Sequence, residues 1–484
     1  MNRKRLIGVA AIFLLFISAL TPAGAAAKSE HSIMDESIYD LLVDRFNNGV
    51  GRNDIDVDTQ KGDAFNGGDF IGIQARLQHI IDMGFTMISL GPVFKTETYD
   101  GNRALSYTEL EPHFGTEEEL GALVKEIHKK KMKVIADFPL GKVSAEHEWA
   151  KDQTYKSIHS ADGTVNWNPG DRNVKDALIE AATDFITAYE LDGIRLTKLE
   201  GFDEAFLNEM IEAIHNAKDG AYVLTNEESG AAFDLKPSDA KMQALRESYV
   251  RFDPDSSPMD LFKEVGKKEL LQYDDLTGPR FTYDIVEARM FPPTRWKVAA
   301  TALFTLPGVP LMTYGTEIAV NGKEAPESHP LFNFKTDMEF KDLIGNLNLL
   351  RNESETLRSG DFEMLHNEDG FLIYKRTSED ETWLIAINNT SKTSNLAIPV
   401  DKIGENKKLR GVLDGDLIRE TDDGMFHVVL DRELAEVYIA DDDKGFNTPY
   451  LIASILVYVM FLGFLFLVIK KGREKRRADT KGGY

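Results

Sequence analysis

The sequence predicts a (β/α)8 TIM barrel with a short insertion, then an antiparallel β domain, then one C-terminal transmembrane helix. Three observations predict this order. Short apolar runs alternate with amphipathic helical patterns over residues 34–353, as parallel strands joined by crossover helices do. After Glu353 the pattern changes to brief alternating segments separated by turn residues. Tyr450–Ile469 is an apolar run without a charge, long enough to cross a bilayer as a helix.

At the N-terminus, Arg3, Lys4 and Arg5 precede the apolar stretch Leu6–Leu20 and the small residues Ala23–Ala27. These three regions predict a secretory signal peptide over residues 1–27, cleaved near Ala27. The chain carries 80 Asp plus Glu against 56 Lys plus Arg, a formal charge of −24. Ten of the bases but only two of the acids sit at the two ends, so the body is more acidic still. Such a surface repels phosphate backbones and excludes nucleic-acid binding. With no cysteine in the sequence, disulfides, thiol catalysis and thiolate metal sites are excluded.

Within the barrel, strands are expected at Ser37–Val43, Thr86–Leu90, Lys133–Ala136, Gly193–Leu196, Tyr222–Thr225, Arg280–Tyr283 and Val309–Thr313. Helical spacing marks Glu117–Lys130, Val174–Ala188, Glu204–Ala217 and Thr294–Thr305. One connection, residues 142–172, is too long and polar for an ordinary turn, and loops of that length tend to be functional. In the β domain, residues 354–440, strands are expected at Phe371–Arg376, Thr382–Asn388, Ser394–Val400, Leu409–Leu413, Phe426–Leu430 and Ala435–Ile439. Lys470, Lys471, Arg473, Lys475, Arg476 and Arg477 follow the apolar helix within a basic tail, residues 470–484. A positive cluster stays on the cytoplasmic side, which predicts a cell-membrane protein with its large N-terminal domain outside.

Several motifs are more specific. Ile38–Phe46 with Asn48-Gly49, Gly67–Ile73, Met83–Phe94, Pro112–Thr116, Met132–Asp137, Asp192–Leu196 and Leu306–Ile318 together resemble the α-amylase family, glycoside hydrolase family 13. The resemblance spans roughly residues 34–440. It implies that residues 142–172 are a reduced B domain and that the ligand is an α-glucan of the starch or maltodextrin type.

The same alignment implies a damaged catalytic centre. Retaining glycosidases need one carboxyl group to attack the anomeric carbon and a second to protonate the leaving oxygen. The family's nucleophile is an Asp two residues after the strand-four Arg, here Arg195, and that position holds Thr197. A threonine hydroxyl without an adjacent base is a poor nucleophile. An Asn-His pair after the strand-three Asp is replaced by Gly141 and Lys142, and the strand-seven His-Asp pair aligns with Ile285 and Val286. Asp137 and Arg195 are retained as a pair. Glu227 stands where the general acid belongs, either as a residual acid or as one more acidic loop residue. The resemblance therefore implies a pseudoenzyme, the alternative being an active α-glucan glycosidase rearranged around Glu227, with Glu287 as its second carboxylate.

The family resemblance also implies a calcium ion held by Asn48, Asn53, Asp54, the Gly67 carbonyl and Asp69, with Val50 replacing one usual ligand. Amide, carbonyl and carboxylate oxygens suit Ca2+. A second calcium site is expected to be lost with Gly141. Two non-catalytic partners stay open: an α-glucan, or a membrane or cell-surface protein. Glucan binding would call for aromatic platforms near the mouth, for which Trp149, Tyr155, Trp167 and Tyr283 are the candidates.

Overall fold

The structure, a computed structural model, describes residues 32–264, 266, 268–335, 339–443 and 448–481. The expected signal peptide, 1–27, and the last three residues of the basic tail lie outside the described residues. Two compact units divide the chain. One comprises the chain up to Arg251 plus Ser257–Ser359, the other Phe252–Ser256 plus the chain from Gly360 onward.

In the first unit eight parallel strands form the barrel: Ile38–Asp40, Met87–Pro92, Lys133–Pro139, Gly193–Thr197, Tyr222–Thr225, Lys236–Pro237, Glu269–Leu271 and Val309–Thr313. Strand one pairs with both strand two and strand eight, and a parallel bridge between Leu224 and Leu235 joins strands five and six. The ring is thereby closed. Because side chains alternate across a strand, every second residue faces the barrel axis. Ile38, Met87, Ile135, Leu224, Leu235, Leu270 and Leu311 form its apolar core. Strand four contributes Gly193, where a Cβ would lie 2.5 Å from the Tyr222 carbonyl and 3.0 Å from Ile135. Two residues further along, the same faces carry Asp40, Asp137 and Arg195, which sets a charged layer above the apolar one.

Strands six and seven were not expected from the sequence. They have only two and three residues, too few for a periodic signal. Conversely, the strand expected at Arg280–Tyr283 is a correction: Phe281–Glu287 is an α-helix that begins after Arg280. Strand one is shorter than expected, since Val43–Phe46 already turns as a helix. Residues 142–172 contain a small antiparallel sheet in which Thr164–Trp167 lies between Val143–Ser144 and Ser157–His159.

In the second unit a six-stranded sheet and a two-stranded sheet enclose a core of Phe371, Ile373, Leu384, Ile398, Leu409, Phe426, Val428 and Tyr438. The strands Asp361–Glu368 and Leu417–Arg419 add to those expected. Thr448–Lys481 is one continuous helix. Its apolar stretch Tyr450–Arg473 has 24 residues with none buried, which at 1.5 Å per residue spans roughly 36 Å against a hydrocarbon core of about 30 Å. By length and composition it can cross a membrane.

Candidate active site

The pocket at the C-terminal mouth of the barrel is built from the strand ends and the loops that follow them. Its wall includes Asp40, Asp137, Arg195, Thr197, Lys198 and Asp275. Strand register places Asp137 directly opposite Arg195, and Pro139 opposite Thr197. Arg195 donates from Nε to Asp137 at 2.6 Å and from a terminal nitrogen at 3.0 Å. It also pairs with Asp40 at 3.0 Å. The expected Asp137–Arg195 pair is therefore a triad, and all three members are buried. Burial raises the Asp137 carboxyl above its ordinary range, against the pull of the guanidinium. Burial alone would lower the Arg195 pKa, but Asp137 and Asp40 outweigh it and hold that pKa raised.

The strand-seven assignment needs correction. Ile285 and Val286 belong to the helix after strand seven, the first buried and the second exposed, and neither lines the pocket. Strand seven ends at Leu271, and the chain leaving it supplies Gln272 and Asp275 to the pocket wall. Asp274, between them, turns inward: it is buried, accepts from Phe281 N–H and Thr316 Oγ1, and faces Arg280 and Arg246 at 3.6 Å. Glu287 is exposed at the end of that helix and does not line the pocket.

Glu227 is held close by, but its carboxylate is committed. It accepts the backbone N–H of Lys198 at 2.5 Å and that of Leu199 at 3.3 and 3.4 Å. Thr197 lines the same pocket as Asp40, Asp137 and Asp275, and supplies a hydroxyl where the family resemblance implies a carboxylate. At Gly141 a Cβ would lie 2.8 Å from Asn166 Oδ1, which accepts from Lys142 N–H. Asn166 fills the space a larger residue there would need. His329 completes the wall: its Nε2 donates to the Leu276 carbonyl at 2.9 Å, so its Nδ1 is the acceptor for Tyr99 O–H at 3.0 Å. Burial, aided by Arg280, lowers its pKa to about 4, so it is neutral at pH 7.

None of the four candidate platform aromatics lines the pocket. Trp167 is buried and donates to Tyr107 O–H at 2.9 Å, Trp149 and Tyr155 stack on each other at 4.8 Å, and Tyr283 lies in the helix after strand seven.

With this geometry, comparison with known proteins is decisive. An α-amylase from Anoxybacillus superposes with a TM-score of 0.83 at 33% identity, covering 86% of this chain and all of that one. The chain belongs to the α-amylase family. Residues 40–190 match the model of the α-amylase catalytic domain, and residues 360–438 match that of the α-amylase C-terminal domain. The α-amylase of Geobacillus thermoleovorans, solved with acarbose, superposes at 0.79 with 34% identity over 86% of this chain and all of that one. A cyclomaltodextrinase from Geobacillus thermopakistaniensis is 24% identical over 77% of this chain and 72% of its own length. The family is one of glycoside hydrolases of the α-glucan type, and this chain has its barrel and C-terminal domain.

The loop after strand one gathers most of the ligand set the family resemblance implies. Asn48 donates to Asp54 at 2.8 Å, and a Cβ on Gly67 would fall 2.6 Å from Asn48 Nδ2 and 2.8 Å from Asp54 Oδ1. With φ of +90° as well, that position accepts only glycine. Asn53 is buried, and its amide nitrogen has no hydrogen-bond partner among the described residues. Asp69 caps the helix Phe70–Asp82 through Gly72 N–H at 2.5 Å and also takes Gly49 and Val50 N–H at 3.1 and 3.0 Å. Burial first, then the nearby Asp54 carboxylate, raises the Asp69 pKa, while those three N–H groups pull it down. Asn48, Asp54 and the backbone of Gly67 thus lie close together, with Asp69 near enough to feel the Asp54 charge, and carboxylate, amide and carbonyl oxygens are the donor types a hard cation takes.

Proposed function

We propose that this chain is a membrane-tethered α-amylase-family protein that holds α-glucans at the cell surface without hydrolysing them. The observation that carries the reading is the commitment of Glu227 to two backbone N–H groups in a site whose nucleophile position is Thr197. No covalent glycosyl intermediate can form on threonine here, and a lone acid supplies little of the rate enhancement. Beyond the Arg195 triad, the mouth carries polar groups suited to sugar hydroxyls: Asp275, Asn102, Asn226 and Gln272. A concave site with convergent polar groups favours a small glucan over a protein partner.

Two further parts support the reading. The helix Thr448–Lys481 supplies the anchor, and its basic end sets the barrel outside by the positive-inside rule. The cradle of Asn48, Asn53, Asp54, Gly67 and Asp69 would hold Ca2+, which would contribute no chemistry and would pin the loop after strand one to the following helix. The function is tested by presenting the full chain with an α-glucan array and, in parallel, with surface proteins from the same cells. Selective retention of maltodextrins supports the reading; capture of a protein with no glucan retention defeats it.

A further inference from the structure

Strand four ends on Thr197, and Lys198 then takes the left-handed conformation with φ of +57°. For a residue with a Cβ this conformation is unfavourable and needs outside support. The Glu227 carboxylate supplies it by accepting the N–H groups of Lys198 and Leu199 on either side of the turn. The turn puts Lys198 into the pocket wall beside Thr197, close enough for its charge to act on Asp137. Among the described residues, neither the Lys198 ammonium nor the Thr197 hydroxyl has a hydrogen-bond or ion-pair partner. Two donors without a protein partner among the described residues thus line the pocket at consecutive positions, where the family resemblance places the attacking carboxylate. The wall also carries four carboxylates, Asp40, Asp100, Asp137 and Asp275, the first and third of which Arg195 engages.

We infer that Thr197 and Lys198 are the donor pair that grips the oxygens of a bound α-glucan, and that Glu227 is a positioning residue for Lys198. This inference rests on the glucan-holding reading. It also explains why binding and hydrolysis part company. Glycoside cleavage builds positive charge on the anomeric carbon, and an ammonium at that place disfavours such charge while still bonding to a neutral sugar oxygen.

The test is titration of maltoheptaose into the full chain in lipid nanodiscs prepared without maltoside detergent. Lys198→Met is expected to weaken binding at least tenfold with an unchanged melting temperature, and Thr197→Val severalfold. Glu227→Ala should match Lys198→Met, whereas Glu227→Gln, whose amide oxygen can still accept the Lys198 N–H, should stay within threefold of wild type. Rescue by Gln separates positioning from a carboxylate that contacts sugar directly. If wild type binds and Lys198→Met and Thr197→Val bind equally well, the inference is overturned and the glucan reading stands. Equal losses in Glu227→Gln and Glu227→Ala overturn the positioning role. A wild-type chain that binds no maltoheptaose overturns both the inference and the reading beneath it.

Discussion

The Glu227 carboxylate accepts the backbone N–H of Lys198 at 2.5 Å. A general acid must present its proton to the leaving oxygen of the substrate, yet this one is spent on the loop that leaves strand four. From this relationship follows the expectation that Thr197→Asp alone restores no hydrolysis of maltodextrins or aryl α-glucosides, because the second carboxylate stays bonded to the Lys198 and Leu199 N–H groups. Reducing-end release is the measurement. Turnover in that variant at a rate typical of the family would show that Glu227 is free to act.

The buried triad predicts a stability effect. Arg195 is the cation held between Asp137 and Asp40 at 2.6 and 3.0 Å. Removing one partner of a buried ion pair leaves uncompensated charge and costs about 3–5 kcal/mol. Arg195→Ala should therefore lower the denaturation midpoint sharply, and Arg195→Ala combined with Asp137→Asn should recover part of the loss. A double variant no more stable than the single one would contradict the pairing.

Calcium gives a separate expectation. An ion that binds only the folded state adds RT ln(1 + [L]/Kd), about 2.7 kcal/mol at a hundredfold excess over Kd. Chelation should lower the melting temperature by a few degrees. Asp54→Ala should start lower and respond little to chelator, because the Asp54 carboxylate accepts from Asn48 beside Gly67, while its cap bond to Gly51 is made by the backbone N–H that Ala keeps. An unchanged melting curve on chelation refutes the cation, and the cradle is then a polar turn with Val50 in place of a ligand.

The insertion supplies a pH dependence. His147 is buried, and burial lowers its pKa to about 3. Its Nδ1 accepts Trp149 N–H at 3.1 Å, and its Nε2 has no hydrogen-bond partner among the described residues. The unfolded chain takes up this proton near pH 6.5 and the folded chain does not, so the stabilising contribution is present above 6.5 and lost as pH falls toward 3. From 6.5 to about 3, at about 1.36 kcal/mol per unit, the full loss is on the order of 5 kcal/mol. Asp44, raised by burial to about 6, acts in the opposite direction, so the comparison must be with a variant. Between pH 6.5 and 4, His147→Gln should lose less in melting temperature than wild type, and equal losses would contradict the assignment.

Much of this architecture was legible in the sequence, because long apolar strands flanked by turns and helices with clear spacing are local signals. Tyr222–Thr225 and Val309–Thr313 are strands at their expected bounds. The misreading of strand seven has a physical cause. Glu269–Leu271 offers only two apolar residues, while Arg280–Tyr283 carries the aromatic content of a strand but starts a helix. Asp275 was lost with that misplacement. Asp40 was missed as a partner of Arg195 because strand one meets strand four only across the barrel axis, a proximity no local pattern encodes. The identity of Glu227 could be read from alignment, but the direction of its carboxylate depends on the turn at Lys198. The expected aromatic platforms failed because Trp149, Tyr155 and Trp167 pack with one another and with Tyr107.

The most direct measurement places the full chain in nanodiscs with maltoheptaose at equilibrium for a day and determines, in one sample, how much glucan is bound and whether it is intact. The account predicts saturable binding with the heptasaccharide recovered whole by mass spectrometry. Shorter maltodextrins that accumulate with wild type and disappear with Glu227→Gln would contradict it.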